Sequence, residues 1–434
     1  MKGQARFALG PDHIKERTPQ MDNLQSGDGG QHAIHTPADI RRKLGVDPID
    51  LDFIRNPDSY RQEQERIFRK TWLKVATTWE VPEVGDWKVK ELAVCDASVI
   101  ITRGKDGKIR AFHNVCPHRG NKVIPTSDYE TFGHSRANVM TCRFHGWVFG
   151  TDGDLKSVPM KEEFAKLDTA CLGLKPIHCD QWEGFVFINF APQPEQSLAE
   201  YLGAFGTLFS GYPYSESTTS FRYSTVLNCN WKVALYAFSE GYHVPTIHAG
   251  SLPGFAGIDH GDFRLLGPHA SSAIYGGGMK TAASTLKFAQ VLHGSDQHRP
   301  HPEQLPPGIN PQRREDFQFE LPSVFPNLII HLGAGCGYPG LSFFTHQFWP
   351  LGHGQTLWEG INYFRPAGNA AEDMAQRHVN ALHRNAWLED TATMEDTFFG
   401  IMSGAVSEMH LMDREFLIRH AVQTLHSQLN SEEK

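Results

Sequence analysis

The strongest constraint on this chain is a pair of short motifs in which a cysteine is followed by a histidine and a glycine. The first motif is CPHRGN at residues 116–121, and the second is CRFHGW at residues 142–147. Together they supply two thiolates and two imidazoles, which make a complete set of metal ligands. A glycine follows each histidine within two residues, so both motifs favour tight loops over a helix. The predicted ligands are Cys116, His118, Cys142 and His145.

Two kinds of metal centre accept two cysteines and two histidines. In a Rieske [2Fe–2S] cluster, two cysteines hold one iron and two histidines hold the other, whereas structural zinc takes all four ligands in one tetrahedron. A zinc finger would need its histidines on a helix, which the glycines oppose. We therefore predict a Rieske cluster, with structural zinc as the alternative.

Length and charge narrow the class of protein. A chain of 434 residues has room for two domains, each with its own core. A net charge of −8 opposes nucleic acid as a partner. No apolar run approaches the roughly 20 residues that cross a bilayer, and the polar start of the chain lacks the apolar core of a secretion signal. We therefore expect a cytoplasmic protein with no membrane segment.

Hydrophobic periodicity divides the chain into three parts. Residues 1–56 are mostly polar and are predicted to be a flexible N-terminal segment. Residues 57–192 begin with a short helix and continue as short strands separated by turn residues, which predicts an all-β domain around the two motifs. A proline-rich break leads into residues 193–434, where strand-like runs precede a long helical segment. The predicted class is therefore α+β, with the all-β domain first.

A second candidate metal site lies in the stretch EGYHVPTIH at residues 240–248. On a straight helix, His243 and His248 would point about 140° apart. Pro245 opposes a straight helix, so we expect a bend there that turns both imidazoles toward one point. Two histidines and one carboxylate, with open positions, form the facial triad of non-haem Fe(II). Two histidines at this spacing are, by themselves, only a weak indication of a metal site.

The late helical segment offers the carboxylate. The helical face of Asp390 carries apolar residues, whereas Glu389 and Asp396 lie on more polar faces. A buried carboxylate is costly unless a cation neutralises it, and a metal ligand meets that condition. We therefore predict Asp390 as the third ligand, with Asp396 as the alternative, and we interpret Glu389 as part of a solvated acidic face.

The loop motifs, and the sequence Asn230-Trp231-Lys232 ahead of the two later histidines, resemble the large catalytic α subunit of the Rieske non-haem iron (ring-hydroxylating) oxygenases. The resemblance implies a Rieske [2Fe–2S] domain, then a catalytic α+β domain whose antiparallel sheet is flanked by helices in the helix-grip or START-like manner. It implies a Rieske cluster, mononuclear Fe(II), O₂ as co-substrate, and electrons from NAD(P)H through a separate reductase, with or without a ferredoxin. The implied assembly is a homotrimer, α₃, or an α₃β₃ complex with a small β subunit.

In the resembling family, an acidic residue ahead of the first iron histidine links a cluster histidine of one subunit to the iron of another. Glu240 occupies that position here, where most members have aspartate. The resemblance therefore implies a hydrogen-bonded bridge from His145 or His118 of one subunit through Glu240 to His243 of another. A second departure is Tyr236, at a position where many members have asparagine.

In chain length and domain order the chain looks most like α subunits that act on aromatic compounds, and this resemblance implies a terminal oxygenase that hydroxylates an aromatic compound as a dioxygenase. The alternative is a Rieske monooxygenase or demethylase acting on a methylated or quaternary-amine substrate, because resembling relatives with a glutamate bridge act on such compounds. Two hypotheses come from other classes: an electron-transfer Rieske protein without catalytic iron, and a zinc-stabilised binding protein. The candidate apolar lining residues are Phe238, Phe255, Phe263, Leu292, Phe325, Leu332, Phe348, Phe398 and Met402.

Overall fold

Two seven-stranded antiparallel sheets organise the chain. This computed structural model describes residues 34–251, 258–276, 305–333 and 342–430. The described helices are α1 (Pro37–Leu44), α2 (Asp52–Arg55), α3 (Pro57–Glu63), α4 (Leu198–Leu208), α5 (Trp231–Ala237), α6 (Val244–Ile247), α7 (Ala370–Met402) and α8 (Phe416–Asn430). The first strands are β1 (Ile49–Asp50), β2 (Leu73–Thr77), β3 (Asp86–Leu92), β4 (Ala97–Arg103), β5 (Ile109–His113), β6 (Glu130–His134), β7 (Val139–Thr141), β8 (Val148–Gly150), β9 (Leu155–Ser157), β10 (Pro176–Trp182) and β11 (Phe185–Asn189). The later strands are β12 (Thr219–Leu227), β13 (Ile258–Leu266), β14 (His269–Gly276), β15 (Phe317–Val324), β16 (Leu328–Leu332), β17 (Ser342–Gly352), β18 (Gln355–Phe364) and β19 (Glu408–Met409).

The first large sheet has the strand order β2-β11-β10-β5-β4-β3-β6, and a separate three-stranded sheet, β7-β8-β9, follows β6 in the chain. The first cysteine–histidine motif comes directly after β5, and the second connects β7 to β8. A small core that contains Cys116, Cys142 and Trp147 lies beneath the two motifs. The predicted α+β class, with an all-β unit first, is confirmed.

The second large sheet has the order β12-β18-β17-β16-β15-β14-β13. Both faces of its central strands are buried, and every residue of β17 from Ser342 to Pro350 is buried. One face, which includes Phe343 and Tyr363, packs against α4 and the first sheet. The opposite face, which includes Phe344, packs against α5 and α7. Among the described helices, none combines the length and apolar character that crossing a bilayer requires.

The N-terminal segment differs from the prediction of a flexible stretch over residues 1–56. Residues 1–33 lie outside the described residues, but α1 and α2 form within the remainder. Thr36 and Asp39 make a capping box that satisfies backbone N–H groups at the start of α1. Ile40 and Leu44 are buried, and the helix packs against α8. Residues 34–56 are ordered because the apolar face of α1 packs against the core at α8.

Buried charges join the two large sheets. Lys90 on β3 lies 2.6 Å from Glu130 on β6 and 2.8 Å from Glu359 on β18. Lys74 on β2 donates a hydrogen bond to Gln347 on β17 at 3.3 Å. A buried ammonium needs such partners because its charge cannot reach water. The network therefore fixes how the first sheet sits on the second.

Candidate metal centres

The two cysteine–histidine loops share one backbone geometry. In the first loop, Cys116 N–H donates to the carbonyl of Asn121 at 2.8 Å, and Gly120 N–H donates to the carbonyl of Cys116 at 2.9 Å. The second loop repeats both bonds at Cys142, with the same two distances. Gly120 and Gly146 have φ values of +79° and +74°, a conformation that glycine adopts without strain. Each loop therefore turns back over its own cysteine, as the glycines predicted.

The side chains of the two loops meet. The rings of His118 and His145 lie 4.5 Å apart between centroids, and Trp147 stacks on His118 at 4.9 Å. Cys116 and Cys142 are buried. His118 Nδ1 is also buried, without a hydrogen-bond partner among the described residues. A buried imidazole nitrogen without a partner is costly unless it binds a metal, so these residues fit a cluster with two thiolate and two imidazole ligands.

The second centre brings together His243, His248 and Asp390, whose candidate ligand atoms all lie within 4.8 Å of one another. Asp390 Oδ1 is 3.0 Å from Nε2 of His248 and 3.4 Å from Nε2 of His243. Asp390 is only 4% exposed, as its apolar helical face predicted. Two imidazole nitrogens and one carboxylate around a single point form the donor set of a 2-His-1-carboxylate iron site.

The chain brings the two histidines together differently from our prediction. We expected the bend at Pro245, but α5 ends at Ala237, ahead of both histidines. Pro245 lies in the first turn of α6, where its missing N–H needs no partner. His243 is the N-cap of this short helix and His248 is its C-cap. A single helical turn between the two residues therefore sets the spacing of the imidazoles.

A carboxylate stands behind each of these imidazoles. Glu240 Oε1 is 2.5 Å from Nδ1 of His243, and Glu389 Oε2 is 2.8 Å from Nδ1 of His248. Glu389 also accepts a hydrogen bond from Ser251 Oγ at 2.6 Å. Such partners hold the Nδ1 proton and leave Nε2 free to bind a metal. Both rings are thus fixed with Nε2 toward the third ligand.

Our interpretation of Glu389 as a solvated residue is wrong. Its polar helical face correctly indicated partial exposure, but its longer side chain reaches back to His248. The sequence signal that could have identified Glu389 is its position directly before Asp390, the predicted metal ligand. Asp396, our alternative ligand, is exposed and lies outside the group of close ligand atoms.

The electrostatic environment of the site favours a cation. Burial lowers the pKa of His248, but hydrogen bonds and charges from Asp390 and Glu389 outweigh burial and raise it above its usual value. A field that favours a proton on an imidazole also favours a metal cation, and the two compete for the same nitrogen. The carboxylates therefore supply the negative charge that a divalent ion requires.

A cavity of about 550 Å³ borders the site and reaches His243 and Tyr236. Its described lining contains no lysine or arginine, and its carboxylates are Glu240, Asp390, Glu408 and Glu415. None of the predicted apolar lining residues that the structure describes borders this cavity. Phe255 and Leu292 lie outside the described residues. The cavity makes the carboxylate of Glu240 accessible from outside the core.

Aromatic side chains cover the sheet face that meets α5 and α7. Phe238 stacks on His346 at 4.1 Å, and the indole rings of Trp358 and Trp387 lie 5.6 Å apart at 80°. A Cβ atom at Gly360 would lie 2.6 Å from the Trp358 ring and 2.9 Å from the Trp387 ring, so glycine permits this close packing. Trp387 is one helical turn from Asp390. Phe238 and Phe348 are the predicted lining residues found on this face.

Two family models match the chain. The model described as "Ring hydroxylating alpha subunit (catalytic domain)" covers residues 211–431, and the model described as "Rieske [2Fe-2S] domain" covers residues 71–172. The first match contains all three residues of the second centre, and the second contains both cysteine–histidine motifs.

Curated relatives fall into two groups. The carnitine monooxygenase oxygenase subunit of Escherichia coli K12 is 29% identical over 252 residues, which are 57% of this chain and 64% of the relative. The chain thus spans less than two thirds of that relative's length. The large oxygenase component of the naphthalene 1,2-dioxygenase system of Pseudomonas aeruginosa is 32% identical over 202 residues, which are 44% of this chain and 42% of the relative. The glycine betaine monooxygenase oxygenase subunit of Chromohalobacter salexigens is 28% identical over 211 residues, which are 48% of this chain and 45% of the relative.

Solved structures share the fold. A quaternary ammonium Rieske monooxygenase superposes with a TM-score of 0.72 at 21% identity, covering 92% of this chain and 100% of the other. Naphthalene 1,2-dioxygenase from Rhodococcus sp. gives a TM-score of 0.67 at 21% identity, with 92% and 99% covered. Both similarities support the arrangement of two domains described above.

Proposed function

The chain belongs to the ring-hydroxylating α-subunit family of Rieske oxygenases, and we propose that it is a terminal oxygenase component that oxidises a quaternary amine. The observation that carries this proposal is the convergence of His243, His248 and Asp390 in a chain that also has two cysteine–histidine loops. A Rieske protein that only transfers electrons needs no such triad. We choose a quaternary amine as the substrate class because carnitine and glycine betaine monooxygenase subunits are among the relatives. This class is the alternative hypothesis from the sequence.

The metal centres of this family assign roles to the side chains. We propose that Cys116, His118, Cys142 and His145 hold the [2Fe–2S] cluster and that His243, His248 and Asp390 hold the mononuclear iron. When bound, the cluster supplies single electrons and the iron activates O₂ for insertion into a C–H bond. Glu240 and Glu389 keep the two iron histidines in the tautomer that leaves Nε2 available.

The aromatic side chains on the sheet face that meets α5 and α7 favour a trimethylammonium group as the part of the substrate bound there. A quaternary ammonium ion cannot donate a hydrogen bond, so proteins recognise it with aromatic walls and nearby negative charge. Trp358 and Trp387 pack edge to face against each other, and Trp387 is one turn from Asp390. Aromatic side chains this close to Asp390 would stabilise a cationic nitrogen whose methyl group is directed at the metal site.

The proposed partners follow from the same geometry. We propose a separate reductase as electron donor and a trimer in which a cluster histidine of one subunit approaches Glu240 of the next. The carboxylate of Glu240 supports this role because it borders a cavity while it accepts from His243. Its extra methylene, relative to the usual aspartate, extends the carboxylate further toward a neighbour.

The test is substrate-dependent oxygen consumption with NADH and a surrogate reductase. Choline, glycine betaine, carnitine and γ-butyrobetaine are compared with naphthalene, and formaldehyde from N-demethylation is measured alongside. We expect at least one trimethylammonium compound, and not naphthalene, to stimulate both readouts. Conversion of naphthalene alone to a dihydrodiol would support aromatic dioxygenation, which the naphthalene 1,2-dioxygenase relative favours. Asp390→Ala is the inactive control.

A further inference from the structure

Three histidines meet on the aromatic face, away from the metal ligands; His346 and His383 are buried and His331 is half-buried. His331 on β16 pairs with Phe344 on β17, and His346 lies two residues further along the same face of β17. The rings of His331 and His346 are 5.3 Å apart between centroids. His383 on α7 lies opposite them, 4.8 Å from the ring of Phe344. Neither the metal ligands nor the core packing explains three imidazoles at one place.

Hydrogen bonds fix the proton positions on two of these rings. Trp358 Nε1–H donates to His346 Nδ1 at 3.2 Å, so a neutral His346 carries its proton on Nε2. The amide nitrogen of Asn362 donates to Asn380 Oδ1 at 2.8 Å, which leaves Asn362 Oδ1 as an acceptor. His383 Nδ1–H donates to that oxygen at 2.6 Å. His346 therefore presents an N–H donor at Nε2, and His383 presents a lone pair at Nε2.

The remaining nitrogens are buried and unused. His346 Nε2, His383 Nε2 and both nitrogens of His331 have no hydrogen-bond partner among the described residues. Buried polar atoms of native proteins are nearly always satisfied, so a group of unsatisfied ones indicates a missing ligand or water. The three histidines offer a fixed donor at His346 Nε2 and a fixed acceptor at His383 Nε2, and the ring of His331 can donate or accept.

The histidine group carries no charge. Burial lowers the pKa of all three imidazoles, that of His383 to about 4, so they are neutral near pH 7. No lysine or arginine among the described residues contributes charge at these rings. A carboxylate placed here would have no cation to neutralise it and would face the lone pair of His383. A hydroxyl group, which donates and accepts, fits both fixed positions.

The spacing along α7 connects this group to the metal site. Trp387 lies three residues before Asp390, and His383 lies four residues before Trp387, which gives rises of about 4.5 Å and about 6 Å. All three residues are buried. A trimethylammonium compound with its nitrogen beside Trp387 would thus reach His383 with a tail of about three carbons.

We propose that His331, His346 and His383 form a polar subsite that selects trimethylammonium substrates with a neutral hydroxyl tail over those with a carboxylate tail. This inference rests on the proposed function and specifies the substrate within it. It separates this chain from the relative named for carnitine, whose substrate carries a carboxylate. The imidazoles act as specificity residues and need not contact the metal.

The test is anaerobic calorimetric titration of the full-length, iron-loaded protein with three probes that share a trimethylammonium group. They are (3-hydroxypropyl)trimethylammonium, propyltrimethylammonium and γ-butyrobetaine, which end in a hydroxyl, a methyl and a carboxylate. We expect the hydroxyl probe to bind about 10-fold more tightly than each of the others, as one well-placed hydrogen-bond pair allows. Equal affinities, or tightest binding of γ-butyrobetaine, would overturn the subsite and leave the proposed function standing. Binding of naphthalene and of none of the three probes would overturn both.

His331→Phe is the sharpest variant because neither ring nitrogen has a partner to lose and the new ring still stacks on Phe344. We expect it to lose most of the preference for the hydroxyl probe, raising KM for that probe while kcat changes less than twofold. His178→Phe, at an exposed position of β10, is the control and should keep the preference. If His331→Phe does not fold, the probe series on the unsubstituted protein still decides. A crystal structure with the hydroxyl probe in which only ordered water contacts the three imidazoles would also overturn the subsite.

Discussion

Glu389 Oε2 lies 2.8 Å from Nδ1 of His248, while Asp390 Oδ1 lies 3.0 Å from Nε2 of the same ring. Two consecutive residues of α7 therefore hold opposite sides of one imidazole. Glu389 fixes the tautomer and Asp390 faces the proposed metal position. This relationship makes α7 the element that sets the geometry of the second centre.

The first prediction concerns Glu389. Replacing it with alanine frees the ring of His248 and removes the acceptor for its Nδ1 proton, so we expect Fe(II) affinity to fall about 10- to 100-fold. Anaerobic Fe(II) titration of the metal-depleted protein measures this. Asp396→Ala, two turns further along α7 and exposed, should bind Fe(II) as the unsubstituted protein does. Equal affinities for all three proteins would show that Glu389 does not position the ligand.

The second prediction concerns Glu240. In Glu240→Gln, the amide can still accept from His243 Nδ1–H, so we expect iron content to stay within about twofold. The NH2 group that replaces the second oxygen cannot accept, and the side chain has no charge to pair with a cationic cluster histidine of a neighbour. Substrate-dependent reoxidation of the reduced cluster should therefore slow about 10- to 100-fold. Stopped-flow absorbance follows this rate, and reduction by the donor should be unchanged. Unaltered reoxidation would assign Glu240 to positioning His243 alone.

The third prediction concerns Lys90, which bridges Glu130 and Glu359 between the two sheets. Lys90→Met leaves the buried carboxylate of Glu359 without its cation, whereas Glu130 keeps Lys88 and Arg222. We therefore expect a loss of about 3–5 kcal/mol in the free energy of unfolding. Chemical denaturation measures the change. Lys105→Met, at an exposed hairpin, should stay within about 0.5 kcal/mol. A small effect at Lys90 would mean that the carboxylate of Glu359 reaches water.

The fourth prediction concerns acid stability. Burial would raise the pKa of Glu130, but the charges and hydrogen bonds of Lys88 and Lys90 outweigh it and lower the pKa below the usual 4.5. A carboxyl with a lower pKa in the folded state adds stability above pH 4.5 and loses it as the pH falls further. Thermal unfolding between pH 6 and pH 3 should therefore show a steeper acid loss for the unsubstituted protein than for Glu130→Gln. Parallel profiles would contradict this linkage.

The sequence predicted the parts of the molecule whose chemistry is local. The cysteine–histidine loops could be found because each motif places two ligands and a glycine within five residues. Asp390 could be chosen because a carboxylate among apolar residues on one helical face must be buried with a partner. Family membership and the α+β class followed from these features and are confirmed.

What the sequence did not predict depends on distant contacts. Glu389 reaches His248 across 141 positions, and no periodicity records that contact. The order of residues 34–56 depends on a core supplied by α8, at the other end of the chain. The three histidines of the aromatic face come from β16, β17 and α7, so only the folded sheet brings them together. Tertiary contacts, rather than local propensity, decide each of these cases.

The most direct test of the account is the ratio of iron to acid-labile sulfide in the purified, iron-reconstituted protein and in Asp390→Ala. A [2Fe–2S] cluster and one mononuclear iron predict about three irons per two sulfides, and the variant should fall to about two irons per two sulfides while keeping its red-brown colour. An unsubstituted protein with equal iron and sulfide would contradict the second centre. Bound zinc without sulfide would contradict both.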